Sequence, residues 1–352
     1  MQLNQSSVQL PGVPLALGSA VLFGAATPLS KLLLASIDPQ MLAGLLYFGA
    51  GLGLAAVHAT RAAIGLSAPE APPRRHDVPW LIAIVIFGGI LGPALLMLGL
   101  GRTPASSGSL MLNLESLATM GIAWLVFREN VDRRLLLGAL AIVLGAIFLS
   151  WEGQGLSLDV GAVLIAGACL CWGIDNNLTR KLSSADPVII ATVKGLFAGA
   201  ANIAGGFWLG NALPSVGIAI LAALLGFFVI GVSLVLFVLA LRHLGAARTG
   251  AYFSLAPFIG ALIALGLGDP FTPKLVVAAL LMGLGLWLHL TERHEHEHVH
   301  EALAHEHRHV HDAHHQHHHD GPVVEPHSHR HEHKPLRHKH PHYPDLHHRH
   351  TH

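Results

Sequence analysis

Residues 105–127 read ASSGSLMLNLESLATMGIAWLVF, with one ionised side chain, Glu115, near the middle. At 1.5 Å per residue the stretch spans a hydrocarbon core of about 30 Å. A carboxylate at the bilayer centre costs about 2.5–3.5 kcal/mol on insertion scales, so it must face a partner or a wet cavity. Taken as one helix turning by about 100° per residue, the stretch gathers Ser106, Ser109, Asn113 and Ser116 in one sector, with Glu115 and Thr119 beside it. Leu110, Met111, Leu114, Leu117 and Ala118 cover the opposite sector. Such a helix is expected to form one wall of an intramembrane cavity. The plainer alternative is a Glu that only bonds a neighbouring helix.

The rest of the chain sets that stretch among others like it. Apolar residues make up 52% of the sequence and charged residues 12%, where a soluble domain carries about a quarter charged. The last 62 residues, from Thr291 to His352, are almost entirely polar, which leaves the first 290 still more apolar. The composition is that of a polytopic membrane protein. Ten apolar spans run near Val13–Leu34, Pro39–Ala59, Pro79–Leu100, Ala105–Phe127 and Leu135–Ser150, then Asp159–Arg180, Pro187–Leu209, Val216–Leu241, Ala246–Leu267 and Leu275–Leu290. Gly and Pro punctuate the tight joints at Gly101–Pro104, Arg242–Gly245 and Gly268–Pro273. With the N-terminus inside, ten Lys and Arg fall in cytoplasmic loops and three outside, Lys31, Arg102 and Lys274. The positive-inside rule then predicts both termini, and the tail, in the cytoplasm. The N-terminal residues lack the basic flank of a cleaved signal, so the first span is expected to be retained. Cys169 and Cys171, two apart in an apolar span, point away from each other on a helix and read as packing residues.

The chain also repeats itself. Phe23-Gly24 and Leu29-Ser30-Lys31 return 149 residues later as Trp172-Gly173 and Leu178-Thr179-Arg180, and Asp38-Pro39 is matched 148 residues later by Asp186-Pro187. Aligning span four with span nine through Gly108 and Gly250 sets Glu115 opposite Pro257. Each unit holds five spans, an odd number, so the two units enter the membrane with opposite orientations. Inverted repeats of this kind build alternating-access frames, with the site near the midplane between the halves. The expected organisation is therefore all-α and integral to the membrane. A first five-helix repeat covers residues 1–151 and a second 152–290, and a His-rich tail without a fold of its own covers 291–352.

These features resemble the EamA type of the drug/metabolite transporter superfamily. The likeness lies in the two five-span halves, in Phe-Gly…Leu-Ser-Lys and Trp-Gly…Leu-Thr-Arg near the ends of spans one and six, and in Pro257 within span nine. Acidic residues follow the matching spans, Glu129 after span four and Asp269 after span nine. The resemblance covers residues 13–290 and excludes the tail. It implies a carrier, often an exporter, for small metabolites, amino acids or drugs, with a cavity between the halves. Glu115 in place of a second proline is a departure that keeps a titratable group at that cavity.

Glu115 is the first candidate for proton coupling, since a carboxyl group in a wet membrane cavity binds and releases protons; the alternative is a permanently protonated or permanently paired group. Asp175 in span six and Lys194 in span seven lie at similar depth, about 10 Å in at 1.5 Å per residue, and suit a buried ion pair. Lys194 can instead reach Glu115 or snorkel to the surface. Asn176 and Asn177 extend the polar patch as solute ligands or as caps, and Asn202 reads as helix-packing glue. Lys31 and Arg180 hold matching places as interfacial anchors or gates. The substrate and proton pathway is thus expected from Glu115, Asn113, Ser109, Ser116, Asp175, Asn176 and Lys194.

All but four of the 28 histidines lie in the tail, largely in His-x-His alternation. His294, His296, His298, His300, His305, His307, His309 and His311 lead. His314, His315, His317, His318 and His319 follow, then His327, His329, His331 and His333. Dense imidazoles suit Zn, Ni or Co, so the tail is expected to bind divalent metal, as a collector or sensor or as a merely solvated extension. No cofactor is required, and the expected partners are a small-molecule solute and the bilayer, not nucleic acid. The leading function is a secondary-active exporter in the cell (inner) membrane, with a divalent-metal exporter as the alternative. The sequence has no nucleophile–base pair, His-Glu-x-x-His motif or phosphate-cradling Gly-Lys-Ser loop, which argues against an enzyme.

Overall fold

The structure is a computed structural model that describes residues 12–65, 73, 75–127, 133–151, 159–179, 182, 186–244, 246–291, 295–300, 303–309, 327–333 and 336–341. Ten of its helical stretches are long and apolar enough to cross a membrane, in the places the apolar runs predict. Span one is α1 (Gly12–Leu33) and span two is α2 (Pro39–Ala63). Span three joins α3 (Val78–Ile84) to α4 (Gly92–Leu100) through a π-helical segment, Val85–Leu91. Span four is α5 (Ala105–Met111) and α6 (Leu114–Phe127), and span five is α7 (Arg133–Ser150). Spans six and seven are α8 (Val160–Thr179) and α9 (Pro187–Trp208). Span eight joins α10 (Val216–Gly226) to α11 (Ser233–Leu244) through a second π segment, Phe227–Val232. Span nine is α12 (Ala246–Phe253) and α13 (Ala256–Gly266), and span ten is α14 (Pro273–Leu290).

The repeated Asp-Pro pairs are helix starts. Asp38 accepts the Gln40 N–H at 3.0 Å and Asp186 the Val188 N–H at 2.7 Å, each with Pro in the first helical position, where its missing N–H costs nothing. Discontinuities repeat as well: spans three and eight each carry a π segment, and spans four and nine are each broken into two helices.

Packing follows the same symmetry. Spans two and seven pair with each other, as do spans five and ten; span one packs on eight and nine, and span six packs on three and four. Exchanging the halves leaves this pattern unchanged, as an inverted repeat requires. Without water between helices, close approach is what holds them together, and the repeated glycines permit it. A Cβ on Gly24 would lie 2.5 Å from the Ala256 carbonyl oxygen, and one on Gly173 would lie 2.7 Å from Ala118 Cβ.

The symmetry fails at the two ends. An even number of crossings puts both ends of the bundle's chain on one side, the termini side. On the opposite, far side α5 packs on α1, α13 and α14. The counterpart of α5 is α12, and the matching approaches of α12 to α8, α6 and α7 have no comparable packing among the described residues. The bundle is closed on the far side and splayed on the termini side.

In the tail, short segments pair with one another. Residues Glu295–His300 pair antiparallel with Leu336–Pro341, and Leu303–His309 with His327–His333. The His-x-His alternation has the two-residue period of a strand. The backbone register sets Glu297 opposite Lys339 and Glu306 opposite Arg330. His294, His311, His314, His315, His317, His318 and His319 lie outside the described residues, as do Glu129 and Arg180.

The packing argument is checked by two alanines. Gly24→Ala, which drives a Cβ into the α13 backbone, is expected to cost about 1–3 kcal/mol and to lower the thermal midpoint of the purified chain. Gly121→Ala, where nothing lies within 4 Å of the added carbon, is expected to leave the midpoint unchanged or raise it. Equal midpoints for the two variants would contradict the close-packing account.

Candidate functional site

Span four is not the single helix that its wheel assumed. Around Leu112 and Asn113 the i→i−4 ladder gives way to i→i−3 bonds, Leu112 N to Ser109 O at 3.2 Å, Asn113 N to Leu110 O at 3.1 Å and Glu115 N to Leu112 O at 3.0 Å. In hydrocarbon the freed carbonyls need other donors. Met111 O, which the Glu115 N–H of an unbroken helix would take, meets Cys169 Sγ at 3.7 Å. Leu110 O, already bonded by the Asn113 N–H, also accepts Asn113 Nδ2 at 2.8 Å, and Ser116 Oγ donates to Asn113 O at 2.8 Å. The twin break in span nine carries Pro257 in the first turn of α13. Glu115 occupies the same place in α6, where the positive end of a helix favours a carboxylate.

Span three supplies a second set of freed groups. In the π register the Gly92 N–H turns to Phe87 O. Pro93 has no N–H to give either to Gly89 O in an α register or to Gly88 O in a π register. Both carbonyls are met by side chains from other spans. Tyr47 Oη donates to Gly88 O at 3.1 Å and Trp172 Nε1 donates to it at 3.0 Å. Asn202 Nδ2 donates to Gly89 O at 3.1 Å, while its own carbonyl accepts from Gln40 Nε2 at 2.7 Å, the packing role its sequence position predicts.

Against this bulge lies the ion pair. Lys194 Nζ donates to Asp175 Oδ2, and both side chains are largely buried. Thr179 Oγ1 approaches the other Asp175 oxygen at 3.4 Å. A Cβ on Gly88 would fall 2.2 Å from Asp175 Oδ2 and 2.6 Å from Lys194 Nζ, so the pair fits only because residue 88 is glycine. Of the partners open to Lys194 in the sequence, Asp175 is the one it takes.

Glu115 stands next to this pair, near enough to feel both charges. Its Oε1 accepts from Asn176 Nδ2 at 3.0 Å, and the same amide nitrogen lies 3.1 Å from Thr119 Oγ1. Asn177 ties α8 to α6 through Thr119 O at 3.0 Å. Asn176 is therefore not a helix cap but a bond between spans six and four. Among the described residues no cation pairs with Glu115. Lys194 and Asp175 neutralise each other, so ionised Glu115 leaves the cluster one negative charge in excess.

The structure brings Glu115, Asn176, Asp175 and Lys194 together and sends the other expected pathway residues elsewhere. Because the helical phase resets at the break, Asn113 turns into a buried position 3.9 Å from the sulfur of Met282 on α14. Ser109 is buried against Gly260 on the far side. Ser116 is exposed on α6, with its hydroxyl on its own turn. Tyr47 and Trp172, which sequence reasoning passed over as site residues, brace the bulge that backs the ion pair. Trp172 did carry a signal, as the Trp of the repeated Trp-Gly pair.

Comparison with known proteins agrees with this architecture. The sequence pattern of the EamA-like transporter family matches the chain twice, over residues 10–151 and 159–291. An uncharacterized transporter of Methanothermobacter thermautotrophicus is 30% identical over 292 residues, covering 77% of this chain and 83% of the relative. The uncharacterized transporter YyaM of Bacillus subtilis is 24% identical over 224 residues, covering 60% and 73% of the two chains. A solved crystal structure superposes with a TM-score of 0.57 at 16% identity, over 79% of this chain and 95% of the other. At that identity the likeness shows the fold alone.

Breaking a buried ion pair from one side leaves an uncompensated charge, at a cost of about 3–5 kcal/mol. Asp175→Asn alone is therefore expected to unfold at lower temperature than Asp175→Asn combined with Lys194→Met. The opposite ranking in thermal melts would show that the two side chains do not neutralise each other.

Proposed function

The chain belongs to the EamA-like transporter family, and on that footing we propose that it is a secondary-active carrier that exports a small metabolite, amino acid or drug-like solute by alternating access. The observation that carries the mechanism is the isolation of Glu115. Its neighbours Asp175 and Lys194 satisfy each other, so among the described residues the Glu115 carboxylate has an amide as its one donor and is the group in the cluster left to exchange a proton. The splayed termini side of the bundle gives water and solute a route to it. The bias of basic residues assigns that side to the cytoplasm, so the solute is taken up from within the cell. Protonation of Glu115 weakens its bond from Asn176 and loosens span four from span six, which links the proton to the movement of the halves. No enzymatic activity is proposed.

A second reading concerns the tail. Among the described residues of the spans, no group of three or more His, Cys, Asp or Glu is placed to hold a metal ion, so the metal reading rests on the tail alone. Its register sets His305 against His331, His307 against His329 and His309 against His327, alternate positions along one ladder. Histidine is a ligand for Zn, Ni and Co, and the tail is rich in it. We take this as a metal-collecting appendage to the carrier, not as its transport site.

Two measurements follow. In proteoliposomes, with a solute first selected by ligand-induced thermal shift, Glu115→Gln is expected to fold and bind but to lose its response to an imposed proton gradient. Undiminished gradient-driven flux would remove Glu115 from the coupling. In zinc titration calorimetry the full chain is expected to take up metal and a chain ending at Leu290 to take up none; equal uptake would end the proposal for the tail.

A further inference from the structure

The far-side closure depends on one contact between the halves. Helix α5 begins after Pro104, which has no side chain able to cap it. The cap comes from the other half: the Ser106 N–H donates to Asp269 Oδ2 at 2.7 Å, with Ser106 1% exposed. The other two far-side aspartates among the described residues are committed to their own helices: Asp38 accepts from Gln40 N at 3.0 Å, and Asp159 caps α8. Asp159 accepts from Gly161 N at 3.1 Å and Ala162 N at 3.0 Å while also taking the Thr103 hydroxyl. Among the described residues, the Asp269 carboxylate has no partner on its own span, and its hydrogen bond crosses to span four.

A second observation says that this closure is made to open. Ser109, one turn further along α5, is 1% exposed, and among the described residues its hydroxyl has no hydrogen-bond partner. It is pressed on Gly260, where a Cβ would come within 2.8 Å of its oxygen. An orphan hydroxyl in a permanently dry contact is a cost with no return; in a contact that opens to water it is hydrated for part of the time. The third observation is the joint. α5 is a short segment bounded by the break at Leu112 and Asn113, so it can turn without carrying α6 with it. Its counterpart α12 already lacks the matching packing on the termini side.

We propose that Asp269 is the far-side latch of the transport cycle. Its carboxylate holds α5 shut on α13 in the state seen here, and its release lets α5 swing about the Leu112–Asn113 joint and open the site to the far side. Glu115 sits just beyond that joint, so movement of α5 and changes at Glu115 act on the same short stretch of backbone. The inference rests on the carrier reading, since only a carrier needs both sides to open in turn.

The test reads exposure, not transport, in the full chain in proteoliposomes of defined orientation. Ser109→Cys reports the far side and Ser116→Cys the termini side, each labelled with a membrane-impermeant maleimide. The buried native cysteines give the background, read from the chain without a reporter. Adding Asp269→Ala is expected to raise labelling at position 109 by about fivefold or more, the population change that a lost interaction of this kind makes, and to lower it at position 116. No change at either position would overturn the latch, and so would a rise at both, which signals loosening instead of a change of state. If Asp269→Ala does not fold, Asp269→Asn keeps the shape and a weaker, uncharged acceptor. A smaller reciprocal change then supports the latch and none overturns it. Because labelling needs no solute, failure here leaves the carrier reading standing, and failure of the Glu115→Gln flux test leaves the latch standing.

Discussion

A peptide carbonyl inside a bilayer has no water to bond, so each departure from a straight helix must be answered by a side chain from elsewhere. That constraint builds the site of this protein. Pro93 and the π register free the Gly88 and Gly89 carbonyls, and Tyr47, Trp172 and Asn202 arrive from spans two, six and seven to meet them. The break in span four frees Met111 O, and Cys169 of span six meets it. Satisfying the backbone therefore draws spans two, three, four, six and seven around one point. The small cross-section of Gly88 at that point leaves the space that the Asp175–Lys194 pair fills.

The two halves share a frame but not a charge distribution. The repeat sets Ala26 where the second half has Asp175, Thr27 where it has Asn176, and Leu46 where it has Lys194. Pro257 stands in span nine where span four has Glu115. One of the two symmetry-related positions is thus charged and the other uncharged. A symmetric frame has two ways to close, on the far side or on the termini side. Confining the charges to one of two equivalent places makes those closures chemically distinct, so that binding at the site can favour one of them.

Much of this was legible in the sequence, and the misses have a common cause. Hydropathy and Gly/Pro punctuation located the ten spans, and the repeat located the symmetry, because length and period survive any local distortion. Equal depth offers Asp175 as a partner for Lys194 but leaves Glu115 and the surface open to it; the helix faces, which the sequence does not give, decide for Asp175. Ser109 and Asn113 were put on the wrong wall because a helical wheel carries one phase through a span whose phase resets at Leu112 and Asn113. Neither residue is a Gly or Pro, so nothing local marked the break. The mark lay 142 residues away, in Pro257 of the twin span. The bulge in span three was hidden for a similar reason, since a π segment has the composition of any apolar helix.

The proposal at the centre is that one carboxyl group, Glu115, is the proton-exchanging group of the membrane interior. Infrared difference spectra of the chain in lipid, recorded as the pH is stepped, read the carbonyl stretch of a protonated carboxylic acid directly. The account predicts a pH-dependent carboxylic-acid band that disappears in Glu115→Gln and survives in Asp175→Asn. A band that persists in Glu115→Gln and vanishes in Asp175→Asn would contradict it.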